Sequence, residues 1–220
     1  MIVVIQCASG KQDYAGHLRT LDGREVMFVA NPHDVPRDGN QVYARPDDVS
    51  DTGRPWRSVL MAYNADPGDN SLNLLPAWRL YKNRIYEILA SHCGIERLYI
   101  LSAGWGLVRA GFLTPNYDIT FQSQAQKFKI RKLHDRYADF FMMPPRTEEP
   151  VTFLGGKAYV SLFCELTSSA KGPRYVWYNS KEKPDAPGCI ARRFHTAKRT
   201  NWHYDCAQAF VDGKLDFGGD

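Results

Sequence analysis

The stretch Leu98-Tyr99-Ile100-Leu101-Ser102-Ala103-Gly104-Trp105-Gly106-Leu107-Val108, followed by Pro115-Asn116-Tyr117-Asp118, decides the fold. An apolar run closed by small residues and glycines reads as a buried strand entering a tight loop. In open α/β sheets, ligands sit outside the carboxyl ends of the strands, so an active or binding site is expected at this loop. Gly104 and Gly106 flank the Trp105 ring and would let backbone approach a ligand closely. Tyr117 and Asp118 add a phenol and a carboxylate a short way downstream.

Outward from this run, strands and helices alternate. Residues 2–6 and Val26–Ala30 read as strands, with Val42–Ala44 as a short third. Gly, Asp, Asn and Pro make about 31–70 an irregular insertion, within which Trp56, Val59, Leu60 and Tyr63 mark a short helix. Leu74, Trp78, Tyr81, Ile85 and Leu89 keep helical spacing and predict a helix over 72–93, stopped by Gly94. Arg79, Lys82 and Asn83 lie off that stripe, towards solvent or a ligand. Ile130, Leu133, Tyr137 and Phe140 predict another helix over 123–141, ended by Pro144-Pro145. Residues 151–154 and 175–178 read as strands, 157–166 and 201–211 as helices, and 218–220 as a frayed tail. This order predicts one α/β domain over 1–220, with a central, mostly parallel or mixed sheet flanked by helices.

Composition narrows the class. A chain of 220 residues can bury one sizeable core. No run approaches a membrane span, and Met1-Ile2-Val3-Val4-Ile5 reads as a strand instead of a signal peptide. Five cysteines without framework spacing favour a reducing, cytoplasmic setting. A net charge of +4 permits nucleic-acid binding without demanding it. Cys189, His195, His203 and Cys206 fit no zinc spacing, so no metal is expected. No Walker loop or dinucleotide fingerprint is present, which argues against an ATPase or dehydrogenase, and no cofactor is expected.

Three blocks carry a family resemblance. Residues 98–121, LYILSAGWGLVRAGFLTPNYDITF, resemble the signature of the YaaA-type superfamily. Val151-Thr152-Phe153-Leu154-Gly155-Gly156-Lys157-Ala158-Tyr159 is similar to its later strand-turn-helix. Val4-Ile5-Gln6-Cys7-Ala8-Ser9-Gly10-Lys11 is similar to the N-terminal strand and Cys-x-x-x-Lys turn of its small relatives. The chain departs from the pattern at Trp105, where Tyr is commoner, and over residues 12–70. The resemblance implies a single α/β domain and a link to DNA or nucleobase metabolism, without an established reaction.

The candidate chemistry follows from residue types. Trp105 either stacks on a base or packs in the core. Asp118 either orients a water or stabilises a developing oxocarbenium ion, or it caps a turn. Tyr117, read with Asp118 as catalytic, would hydrogen-bond a base edge beside Ser102. Gln6 offers a donor and an acceptor to a base edge. The turn with Cys7, Ser9 and Lys11 would meet an anion, with Cys7 read as buried thiol before nucleophile. Gly156 and Lys157 repeat that arrangement. Lys127, Lys129, Arg131, Lys132 and Arg136 form a basic helical face, and Arg192, Arg193, Lys198 and Arg199 lie in an irregular basic segment at about 189–204. Either set would track phosphates, with salt-sensitive binding, or else is a solvated face. Asn201, Trp202, His203 and Tyr204 would form a lid, His203 serving as general acid or base-edge donor, or else Trp202 and Tyr204 anchor the last helix. Together they predict a protein directed at nucleic acid or nucleobases, acting on an N-glycosidic bond if it is an enzyme. The alternatives are a non-catalytic DNA-binding protein of stress response or phage defence, and a small-nucleotide hydrolase or transferase. DNA or a nucleotide is the expected partner, and no membrane is.

Overall fold

The structure is a computed structural model and describes residues 1–36, 41–132 and 134–218. Its strands are β1 (Ile2–Gln6), β2 (Leu18–Arg19), β3 (Glu25–Val29), β4 (Val42–Ala44), β5 (Leu75–Pro76), β6 (Leu98–Ser102), β7 (Gly106–Arg109), β8 (Leu113–Thr114), β9 (Tyr117–Asp118), β10 (Phe140–Phe141), β11 (Val151–Leu154), β12 (Arg174–Tyr178) and β13 (Ile190–Arg193). The α-helices are α1 (Trp56–Ala65), α2 (Ile85–Cys93), α3 (Val160–Leu166) and α4 (Trp202–Val211). Among the described residues, no helix is long and apolar enough to cross a membrane.

The fold is α/β. Seven strands form a central sheet in the order β10-β7-β6-β1-β11-β12-β13. All neighbours are parallel except β6 and β7, which meet antiparallel across the Ala103–Trp105 turn. β1, β6 and β11 are buried along their whole length, as continuous Val/Ile/Leu runs require when both sheet faces are covered. Helix α2 packs on α4, and α4 lies over β11. β1 is the pivot, because β6 lies on one side of it and β11 on the other. Strand order therefore reverses at β1, and a crevice opens at its carboxyl end.

A smaller sheet completes the crevice. β3 pairs with β4, with β2 at its start and with β9 at its end, where Phe28 meets Tyr117 and Val29 meets Asp118. The 31–70 insertion carries the short strand and the short helix expected in it, as β4 and α1, and Arg37–Asn40 lie outside the described residues.

Two expected helices are corrected. Only residues 85–93 of the 72–93 helix are helical. Pro76 sits in β5, and the backbone N–H groups of Ala77 and Trp78 bond the carbonyls of Phe112 and Ala110 instead of a preceding turn. No α-helix forms among the described residues of 123–141; Leu133, placed on its stripe, lies outside them. Thr120 bridges Ile130, and Phe140–Phe141 pair with β7, so long-range pairing overrides a local 3.6-residue period. Arg192 and Arg193, expected in an irregular segment, lie on edge strand β13. The expected tail lies outside the described residues from 219 on.

Candidate active site

A cleft of about 530 Å³ occupies the crevice at the carboxyl end of β1. The loop after β1 brings Gln6, Cys7, Ser9 and Lys11 to it. The small sheet delivers Asp118 through the β3–β9 pairing. The turn after β11 brings Tyr159, and the start of α4 brings Asn201 and Tyr204. Lys82, Asn83, Gln122, Gln126 and Lys129 complete the wall.

Gln6 spans the switch point. Its Oε1 accepts the Gly156 N–H at 2.6 Å, which ties the β1 loop to the β11 loop. Its backbone carbonyl accepts the Tyr86 hydroxyl at 2.8 Å. Among the described residues Nε2 has no partner, so Gln6 presents a donor to the cleft. Gly156 thereby serves the rim through its backbone.

A layer of neutral hydroxyls underlies the cleft. Ser102 Oγ donates to the Tyr117 hydroxyl at 2.9 Å, and Tyr81 lies 2.9 Å from the same oxygen. The Cys7 thiol lies 3.2 Å from the Tyr159 hydroxyl. Burial pushes the Tyr81, Tyr86, Tyr117 and Tyr159 phenols well above their ordinary range, so all stay protonated. Tyr117 is 1% exposed and forms part of the packed floor, which corrects its expected catalytic role. Ser102, fully buried, accepts the N–H groups of Gly104 and Trp105 and closes their turn.

Charge concentrates on one wall. Asp118 meets the Lys129 ammonium at 2.7 Å, with its side chain 37% exposed. Lys11 lies over the Tyr117 ring, 4.2 Å from its centroid. Burial lowers the Lys11 ammonium from its ordinary range, while the neighbouring Cys7 and Asp118 oppose the shift. Lys82 at the edge pairs with Asp13 at 2.7 Å.

The Gly104–Gly106 turn does not reach the cleft. Trp105 is 0% exposed, edge-on to Phe28 and stacked on Phe140, so it is core and not a base platform. A Cβ on Gly104 would meet the Tyr117 ring at 3.2 Å, and one on Gly106 would meet Phe140 backbone at 2.7 Å. Gly106 also has φ +86°. These glycines admit packing neighbours instead of a ligand.

Other expected contacts also lie elsewhere. Arg131 is buried, paired twice with Asp139 at 2.6 and 2.9 Å, and donates to the Ala103 carbonyl at 2.8 Å. It cannot track phosphates. Arg57 joins this cluster through Asp47 and the Gly104 and Trp105 carbonyls. Lys127 pairs with Asp34 on the surface, and Lys132 is exposed; neither lines the cleft. Arg192 bonds the Phe217 carbonyl, and with Arg193 it sits three strands from β1, roughly 14 Å away by strand spacing. Lys157 is exposed and faces a different pocket. Trp202 stacks on Phe194 as an anchor of α4. His203 is 4% exposed and outside the cleft, its Nε2 unpartnered among the described residues. Burial pushes its pKa down to about 4, so it packs as a neutral ring. Of the expected lid over 201–204, Asn201 and Tyr204 reach the cleft and Trp202 and His203 do not.

Lys129 and Tyr204 reach the cleft from segments expected to meet a ligand, whereas Gln122 and Gln126 are additions to the expected site. Tyr204 belongs to the aromatic run that marked the lid, and Lys129 to the expected basic helix. Only the pairing of Thr120 with Ile130 turns Lys129 towards Asp118. No protein-family model, curated protein or solved structure matches the chain.

Proposed function

We propose that the cleft takes a nucleoside or nucleotide unit and acts on its N-glycosidic bond. The observation that carries this reading is the placement of the Asp118 carboxylate and the Gln6 donor in one crevice with Lys11 and Lys129. A volume of about 530 Å³ suits one such unit. Gln6 Nε2 would donate to a carbonyl oxygen or ring nitrogen of the base. Tyr204 would wall the ring. Breaking the bond to the base builds positive charge at the sugar carbon, and Asp118 would stabilise that charge or orient the attacking water. A phosphate near Lys129 would compete with Asp118 for the ammonium and leave the carboxylate free to face the sugar. Lys11, Lys129 and Lys82 replace Lys157 as the phosphate-facing cations of this reading. The resemblance to the YaaA-type superfamily points the same way. A polymer substrate would have to present a flipped or single-stranded nucleotide, since the target atom lies inside the stack of a duplex.

The test is base release. The purified protein is incubated with single- and double-stranded DNA, nucleosides and nucleotides, and free base is followed by mass spectrometry. Release that falls at least 100-fold in Asp118→Asn, with binding retained, is the expected result. Absence of release from every substrate, or release unchanged in the variant, overturns the proposal. Salt-sensitive DNA binding without release would favour the non-catalytic binder.

A further inference from the structure

A second site lies on the far side of β11 from β1. Cys164 on α3 and Cys189, which ends the turn before β13, are both free, with sulfurs 3.6 Å apart. Arg174 at the start of β12 holds the two segments together. Its Nη1 donates to the Cys164 carbonyl at 3.0 Å and to Thr167 Oγ1 at 3.2 Å. Its Nη2 donates to the carbonyls of Gly188 and Pro187 at 3.0 and 3.3 Å. Arg174 is buried, yet no carboxylate pairs with it among the described residues. A buried guanidinium without a carboxylate beside two thiols favours a thiolate as its anion. A pocket of about 470 Å³ lies on the Cys164 side of the pair, lined by Lys157, Cys164, Glu165, Arg174 and Asp185 among others, with Cys189 at its edge through the 3.6 Å sulfur contact.

The geometry points to Cys164 and Cys189 as a thiol–disulfide exchange site for a small disulfide. Cys189 is the more exposed of the two and acts as the attacking thiol. Its thiolate attacks one sulfur of the small disulfide, forms a mixed disulfide and releases one small thiolate, which takes up a proton. The Cys164 thiol then gives up its proton and attacks the Cys189 sulfur, releasing the second small thiol. Two protein thiols are oxidised, and one small disulfide is reduced to two thiols. The sulfurs need to close from 3.6 Å to about 2.05 Å, within reach of side-chain rotation and a small turn shift. The direction of the perturbations agrees. A hydrogen bond from Cys164, with help from Arg174, lowers Cys189 to about 7, while the same contact raises Cys164. Burial raises Cys93 to about 11, which makes it an internal control.

The experiment treats the full chain with oxidised glutathione, alkylates the remaining thiols and maps peptides by mass spectrometry. A Cys164–Cys189 cross-linked peptide is expected, with Cys93 and Cys206 alkylated. Cys164→Ser should accumulate glutathione on Cys189. In the untreated protein at pH 7, Cys189 should react with a thiol reagent about tenfold or more faster than Cys93. Wild-type protein in which Cys189 is recovered alkylated and no cross-link forms would overturn the proposal. So would preferential glutathionylation of Cys93. The wild-type map reads out independently of whether the variant folds.

Discussion

Gln6 illustrates how one hydrogen bond turns an ambiguous side chain into a directional one. Free glutamine can donate or accept, but the Gly156 N–H occupies its oxygen and leaves the amide nitrogen to face the cleft. Gln6→Glu would keep the acceptor for Gly156 and lose the donor. We expect nucleotide affinity to fall by about 1–3 kcal/mol, read by calorimetry, with little change in the urea midpoint. His203 gives the opposite case, a polar group whose polarity goes unused. Its folded pKa of about 4 lies below the ordinary 6.5, so the unfolded chain binds the extra proton. Stability from this group is therefore intact above about pH 6.5 and lost as pH falls towards 4. The loss amounts to roughly 3 kcal/mol, and His203→Gln should abolish it in urea titrations run across that window. The loop from Gln6 to Lys11 and the carboxylate at Asp118 were legible in the sequence because strand ends and their following turns are local features. The burial of Trp105 and His203 was not. Whether a ring faces ligand or core depends on what Phe28, Phe140 and Phe194 bring from distant segments.

At the scale of elements, the turn between β6 and β7 is fixed from outside by arginines. Arg57 and Arg131 bond three successive carbonyls, of Ala103, Gly104 and Trp105, and Asp47 and Asp139 balance their charge. Arg131→Met would leave Asp139 buried with much of its pairing gone. We expect a loss of about 3–5 kcal/mol in urea unfolding. A phosphate-tracking arginine would instead lower DNA affinity and leave stability alone, so the two readings separate cleanly. The same cluster explains why 123–141 misled. Its apolar residues keep helical spacing, but Tyr137 lies against Arg131, 3.9 Å from guanidinium to ring centroid, and Phe140 stacks on Trp105. Those partners lie outside any local window of sequence. By contrast, α1 and α4 were legible, because an amphipathic stripe there agrees with the tertiary contacts. The central strands were legible for a simpler reason. A strand covered on both faces is apolar nearly throughout, and β1, β6 and β11 depart from that only at Gln6, Ser102 and Thr152.

At the scale of the whole molecule, the cleft is a seam between two sheets. The large sheet supplies Gln6 to Lys11 and Tyr159, the small one supplies Asp118, and α4 closes the side with Asn201 and Tyr204. No single segment carries the site, which is why sequence spacing indicated its parts separately, without bringing Lys129 to Asp118 or adding Gln122 and Gln126. The central place of β1 has a consequence for how the chain reaches this state. Its two neighbours, β6 and β11, follow it by about 95 and about 150 residues, so closing the sheet around β1 brings together very distant points of the chain. The loop entropy of those closures has to be met before either pairing yields contacts. Refolding after a jump out of urea should therefore be slow, in the range of milliseconds to seconds or longer, and stopped-flow fluorescence of the buried Trp105 would time it. Until the later strands arrive, the first one has both edges unpaired, and the nascent chain is most exposed to aggregation over that interval.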